Sequence, residues 1–156
     1  MDDFAAVARE LPALVSPLQP IVQQWDRLSR HGCYMLMLSG AIKVDLIFEE
    51  PHQLQPPWQV SAATLRGIDD HFWGWMFWLA SKDGAGKDDL VAAELRKMSG
   101  HLLQPLGIEA SPEGIGGAIA LYVAARGEAE RRCGVAVPPR VEAEVREALR
   151  EHGYEA

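Results

Sequence analysis

The chain has 156 residues, 48% of them apolar, and its 22 acidic against 15 basic side chains give a formal charge of −7. That is enough apolar material for the core of one domain or a small two-part unit. The acidic balance excludes the usual nucleic-acid binder, whose affinity comes from basic patches on phosphate.

Cys33 and Cys133 lie far apart, form no metal-binding spacing and read as reduced thiols. No apolar run is long enough for a membrane span, and the Met-Asp-Asp start lacks the pattern of a signal peptide. A cytoplasmic protein with no membrane partner is expected.

Asp2 or Asp3 is placed to cap a first helix, in which Phe4, Val7, Ala8 and Leu11 have helical spacing and Pro12 and Pro17 mark the end. Residues 21–25 predict a short strand and residues 26–31 a polar turn. Residues 34–38 are apolar without a break, as in a strand covered on both faces. After the turn at Ser39, Gly40 and Ala41 the chain alternates strictly. Ile42, Val44, Leu46 and Phe48 share one face, and Lys43, Asp45 and Ile47 the other. A hairpin over residues 33–48 is predicted.

Asp45 is the chemical question in that hairpin, because an unpaired carboxylate in a covered sheet costs on the order of several kcal/mol. Three readings are open: a salt bridge to a nearby Lys or Arg, a magnesium ligand sharing the ion with other carboxylates, or an edge position that meets water.

Residues 49–63 read as a connector, with Pro51, Pro56 and Pro57 blocking regular structure. Helices follow. Leu65, Ile68, Phe72, Trp75, Met76 and Leu79 form one stripe, and Trp73, Phe77 and Trp78 lie off it, so this helix is aromatic nearly all round and should be buried or form an interface. Residues 82–86 break the pattern. Leu90, Val91, Leu95, Met98 and Leu102 mark a second helix, stopped by Pro105 and Gly107, with Glu94 on its apolar side as an ion-pair partner or a base. Ser111, Pro112 and Glu113 read as the start of a third, and Val141, Val145 and Leu149 as a thin stripe on a last helix with Glu142 and Arg146 at i,i+4.

Other patterns carry less. Glu49, Glu50 and His52 have no recognised ligand spacing. Residues 84–89, GAGKDD, lack the Ser or Thr and the preceding strand of a phosphate loop, and GIGG at 114–117 is no dinucleotide fingerprint. The fold class expected is α+β, with a sheet portion over residues 1–60 and a helical domain over 61–156.

The segments YMLMLSGAIKVDLIF, IDDHFWGWMFWLASK and DDLVAAELRKMSGHLL together resemble bacterial nucleotidyltransferases of the DNA polymerase β superfamily, the aminoglycoside adenylyltransferase-like members nearest. The resemblance covers roughly residues 4–107. It implies a partial nucleotidyltransferase sheet of a helix and about three strands, followed by a helical bundle. It further implies transfer of a nucleotide, from ATP or another nucleoside triphosphate, to a small hydroxylated acceptor with the help of Mg2+. On this reading Asp45 is a metal ligand and catalytic carboxylate, Lys43 a nucleotide contact, and Glu94 a base or acceptor contact. The family's Gly-Ser…Asp-x-Asp segment, which carries the other two carboxylates, has no counterpart here. The chain is therefore expected to be a truncated or degenerate relative, inactive in transfer. The competing expectation is a non-catalytic interaction protein that forms a homodimer through the aromatic helix over residues 65–79.

Overall fold

The computed structural model describes residues 2–51 and 54–154, with side chains from Phe4 onward. The chain divides into two compact units, residues 1–55 and residues 56–156. It is a mixed α+β protein: five α-helices and a three-stranded antiparallel sheet among the described residues.

In the first unit, α1 (Asp2–Val15) precedes β1 (Val22–Trp25), β2 (His31–Leu38) and β3 (Ile42–Pro51), which lie in sheet order β1-β2-β3. One face of the sheet packs on α1. Leu11 and Val15 of the helix meet Tyr34 and Leu36, with Trp25, Val44, Leu46 and Phe48 around them. Phe4 adds an edge-on contact to Trp25 at 5.9 Å and to Phe48 at 5.4 Å. Gly32 sits under this helix, where an added Cβ would lie 2.9 Å from the Phe4 ring. At the β2–β3 turn Gly40 and Ala41 both take positive φ, 79° and 53°, the backbone twist that lets a tight hairpin close.

The second unit is helical: α2 (Leu65–Asp83), α3 (Asp88–Met98), α4 (Gly114–Cys133) and α5 (Arg140–Glu151). Its core is built on α2, whose Leu65, Ile68, Phe72, Trp73, Met76 and Leu79 are fully buried. Tyr122 of α4 stacks on Phe72 at 3.7 Å, and Val145 and Leu149 of α5 are buried with them.

Several expectations change. Pro12 does not end α1, which continues to Val15. The proline is exposed and near the C-terminus, where it forfeits one backbone bond, while Leu11 and Val15 on either side are buried on the sheet. Pro51 does not start the connector. It pairs with His31 at the end of the edge strand β3, where a missing N–H is tolerated. Ile42 begins that strand on the predicted face but is 55% exposed. Proline does not stop α3 abruptly either: a π turn (Ser99–Leu103) and a 3-10 turn (Gln104–Leu106) carry the chain through Pro105 to Gly107. Ser111 does not cap α4. The cap position is Glu113, and the helix opens at Gly114 with a positive φ of 76°, a reversal that glycine allows. The side chains of Asp2 and Asp3, predicted as caps, lie outside the described side chains, and His52 lies outside the described residues.

Candidate functional site

β3 is an edge strand, and period-two alternation turns Lys43, Asp45 and Ile47 away from α1. In register they oppose Met37, Met35 and Cys33 of β2. The spacing of two residues puts the Lys43 ammonium beside the Asp45 carboxylate, and Nζ donates to both carboxylate oxygens. The Lys43 side chain is 15% exposed and that of Asp45 34%. Asp45 is thus both ion-paired and in reach of water.

The field of Asp45 reaches its neighbour. Burial first, then the charges of Asp45 and Asp26, push the Cys33 thiol up to about 11, against a smaller opposing effect of Lys43.

The residues present do not make a magnesium site by themselves. Asp45 is one carboxylate, its charge already met by Lys43, and no group of three or more His, Cys, Asp or Glu side chains converges among the described residues. Magnesium gives up water reluctantly and is held by carboxylates together with phosphate oxygens, so a lone, paired carboxylate is a contributor at most.

Glu94 belongs to the helical unit, on α3. Trp75 Nε1–H donates to its Oε2 at 3.1 Å, and the Lys97 ammonium stands 3.4 Å from its Oε1. Lys97 also hangs over the Trp75 ring at 6.0 Å. His71 stacks on that indole at 5.1 Å, nearly parallel, and its Nδ1 accepts from Trp58 Nε1–H at 3.1 Å. With a hydrogen bond accepted from Trp75 and an ion pair to Lys97, both Glu94 oxygens are engaged. The structure brings Lys43 and Asp45 together in the first unit, and places Glu94 among aromatic side chains in the second.

A further cluster, of which the sequence pattern predicted only the Glu142–Arg146 pair, is centred on Asp69. Asp69, wholly buried on α2, accepts at Oδ1 from Tyr122 O–H at 2.7 Å, Arg126 Nη1 at 3.0 Å and Trp73 Nε1 at 3.2 Å. Its Oδ2 and Arg126 Nε are buried without a hydrogen-bond partner. Arg126 also meets Glu142 of α5 at 2.6 Å, and Glu142 takes Arg146 at 2.7 Å. Burial raises the Asp69 carboxyl above its ordinary range in spite of the three donors. Glu142 goes the other way: burial opposes its ionisation, but the hydrogen bonds from Arg146 and Arg126 outweigh it and hold the carboxyl low. The visible signal was position: Asp69 falls on the Leu65–Phe72 stripe of a buried helix, where a carboxylate needs partners.

The aromatic helix offered as a dimer surface spends most of its rings internally. Phe72, Trp73 and Trp75 are buried, and Phe77 and Trp78 are half-buried. No helix among the described residues is long and apolar enough to cross a membrane. No known protein family, curated protein or solved structure matches the chain.

Proposed function

We propose that the chain is a nucleotidyltransferase-like nucleotide-binding protein that does not itself transfer a nucleotide. The observation that carries this reading is the Lys43–Asp45 pair near the start of an edge strand, on the face away from the packing helix. An ammonium there suits a phosphate oxygen, and the carboxylate beside it suits the cation that accompanies a triphosphate. A single carboxylate falls short of the set that shares the ions in phosphoryl chemistry, which is why transfer is left out of the proposal. Glu94, held by Trp75 and Lys97, is assigned a structural role.

The test is binding of a fluorescent ATP analogue to the purified chain, with and without Mg2+. Lys43→Gln should weaken binding in both conditions. Asp45→Asn should remove the gain that Mg2+ gives while strengthening the metal-free binding slightly, since it deletes a negative charge near the phosphates. A wild-type chain that binds no ATP in either condition overturns the reading. Nucleotide transfer from ATP to a hydroxylated acceptor above background would overturn its second half.

A further inference from the structure

We propose that a cavity in the helical unit, between the end of α2, α3 and the start of α4, binds an elongated zwitterion: a small molecule with an ammonium at one end, an apolar stem and a carboxylate at the other. The cavity has a volume of about 460 Å3, within the range of small-molecule sites.

One wall is a single face of α3. Asp88, Val91, Ala92, Leu95, Arg96 and then Ser99 recur at intervals of three and four residues, so they stand in one row. The row is polar at its ends and apolar between them. Val91 and Leu95 form a buried apolar floor, whereas Asp88 and Arg96 are exposed and enter no ion pair among the described residues. Eight residues at the helical rise separate those two charges by about 12 Å along the axis. They are too far apart to neutralise each other, and an extended ligand of eight or so atoms is of matching length.

The acidic end is reinforced. Lys87 N–H donates to the Lys82 carbonyl at 3.0 Å, which keeps the α2–α3 connection tight and Asp83 near Asp88. Asp83 also lines the cavity and accepts a hydrogen bond from the Tyr154 hydroxyl. Gly114 brings to the lining the first turn of α4, whose cap residue Glu113 makes no side-chain cap bond. Opposite charges at the two ends of an apolar row select a zwitterion over a fatty acid or a simple amine, each of which leaves one end unmatched. The site lies wholly within the helical unit and is independent of the nucleotide reading at Lys43 and Asp45.

The test is titration calorimetry of the full chain with ω-aminooctanoate as probe, and octanoate and octylammonium as one-ended controls. The zwitterion should bind at least about fivefold more tightly than either control, a modest gain because both charges are partly solvated. Arg96→Gln should reduce it to the level of octylammonium, and Asp88→Asn to that of octanoate. Both side chains are exposed, so melting temperatures should not move. Ala92→Phe, which fills the cavity from an exposed position, should abolish binding of all three. No binding of the zwitterion at millimolar concentration overturns the proposal. So does equal binding of the three compounds, or binding indifferent to the substitutions.

Discussion

Asp69 on α2 and Arg126 on α4, 57 residues apart, pair at 3.0 Å with the aspartate wholly buried. Removing one partner strands the other charge in the interior, which is far costlier than replacing both. Asp69→Ala should therefore lower the unfolding free energy by roughly 3–5 kcal/mol in urea titrations. Tyr122→Phe, which deletes one hydrogen bond to a charged group, should cost about 1.5–3 kcal/mol. A loss below about 1 kcal/mol for Asp69→Ala would show that the pair does not hold these helices together.

Asp70 should give the protein an inverted acid response. Burial, with a smaller contribution from the neighbouring Asp69, lifts its carboxyl from 3.8 to about 7, and the exposed Arg66 at 3.9 Å offsets this only in part. Between those values the folded chain holds the proton that the unfolded chain has lost. Stability from this group is therefore present at pH 4, declines as the pH rises to 7 and is level above. Asp70→Asn should flatten that slope and raise stability at pH 8 by roughly 1–3 kcal/mol. Thermal melts across pH 4–8 for the two proteins read the difference directly.

Glu94 should behave as an indole acceptor. Glu94→Ala leaves Trp75 Nε1–H without its partner and should cost about 1–2 kcal/mol. Glu94→Gln keeps an oxygen for that bond and should cost less than about 1 kcal/mol, with the near-ultraviolet circular dichroism of the tryptophans preserved. If the glutamine variant is as unstable as the alanine one, the ion pair with Lys97 is the part that matters.

The two thiols should react at different rates. Cys33 is 8% exposed, and its thiol is held up at about 11, so almost none is thiolate at pH 8. Cys133, at the end of α4, is more accessible. An aromatic disulfide reagent should label Cys133 promptly in the native protein and Cys33 only on unfolding, as peptide mass analysis would report. Equal rates would mean that β2 opens readily.

What the sequence revealed of the fold was its periodicities. Val44, Leu46 and Phe48 alternate because a single helix covers one face of β3, and Leu65, Ile68, Phe72, Met76 and Leu79 recur at helical spacing because α2 is the centre of its unit. Prolines misled at both Pro12 and Pro51, because each costs a backbone bond that matters little near a helix end or on a sheet edge; at Pro12 the burial of Leu11 and Val15 also holds the helix in place. The Lys43–Asp45 pair was within reach, since two residues apart on a strand are on the same face. The cavity was not. Its row on α3 is regular in the sequence, but Asp83, Ser111 and Gly114 join it only through the packing of two other helices, which no local pattern encodes.

The line from Asp69 through Arg126 to Glu142 spans α2, α4 and α5, and so ties three distant stretches of the gene to one another. A single substitution at any of the three leaves the others mismatched, whereas an exchange of all three for apolar residues of similar volume leaves nothing stranded. Descendants of this chain should therefore keep the trio intact or discard it whole, and a lineage caught between the two would carry the weakest helical unit of all.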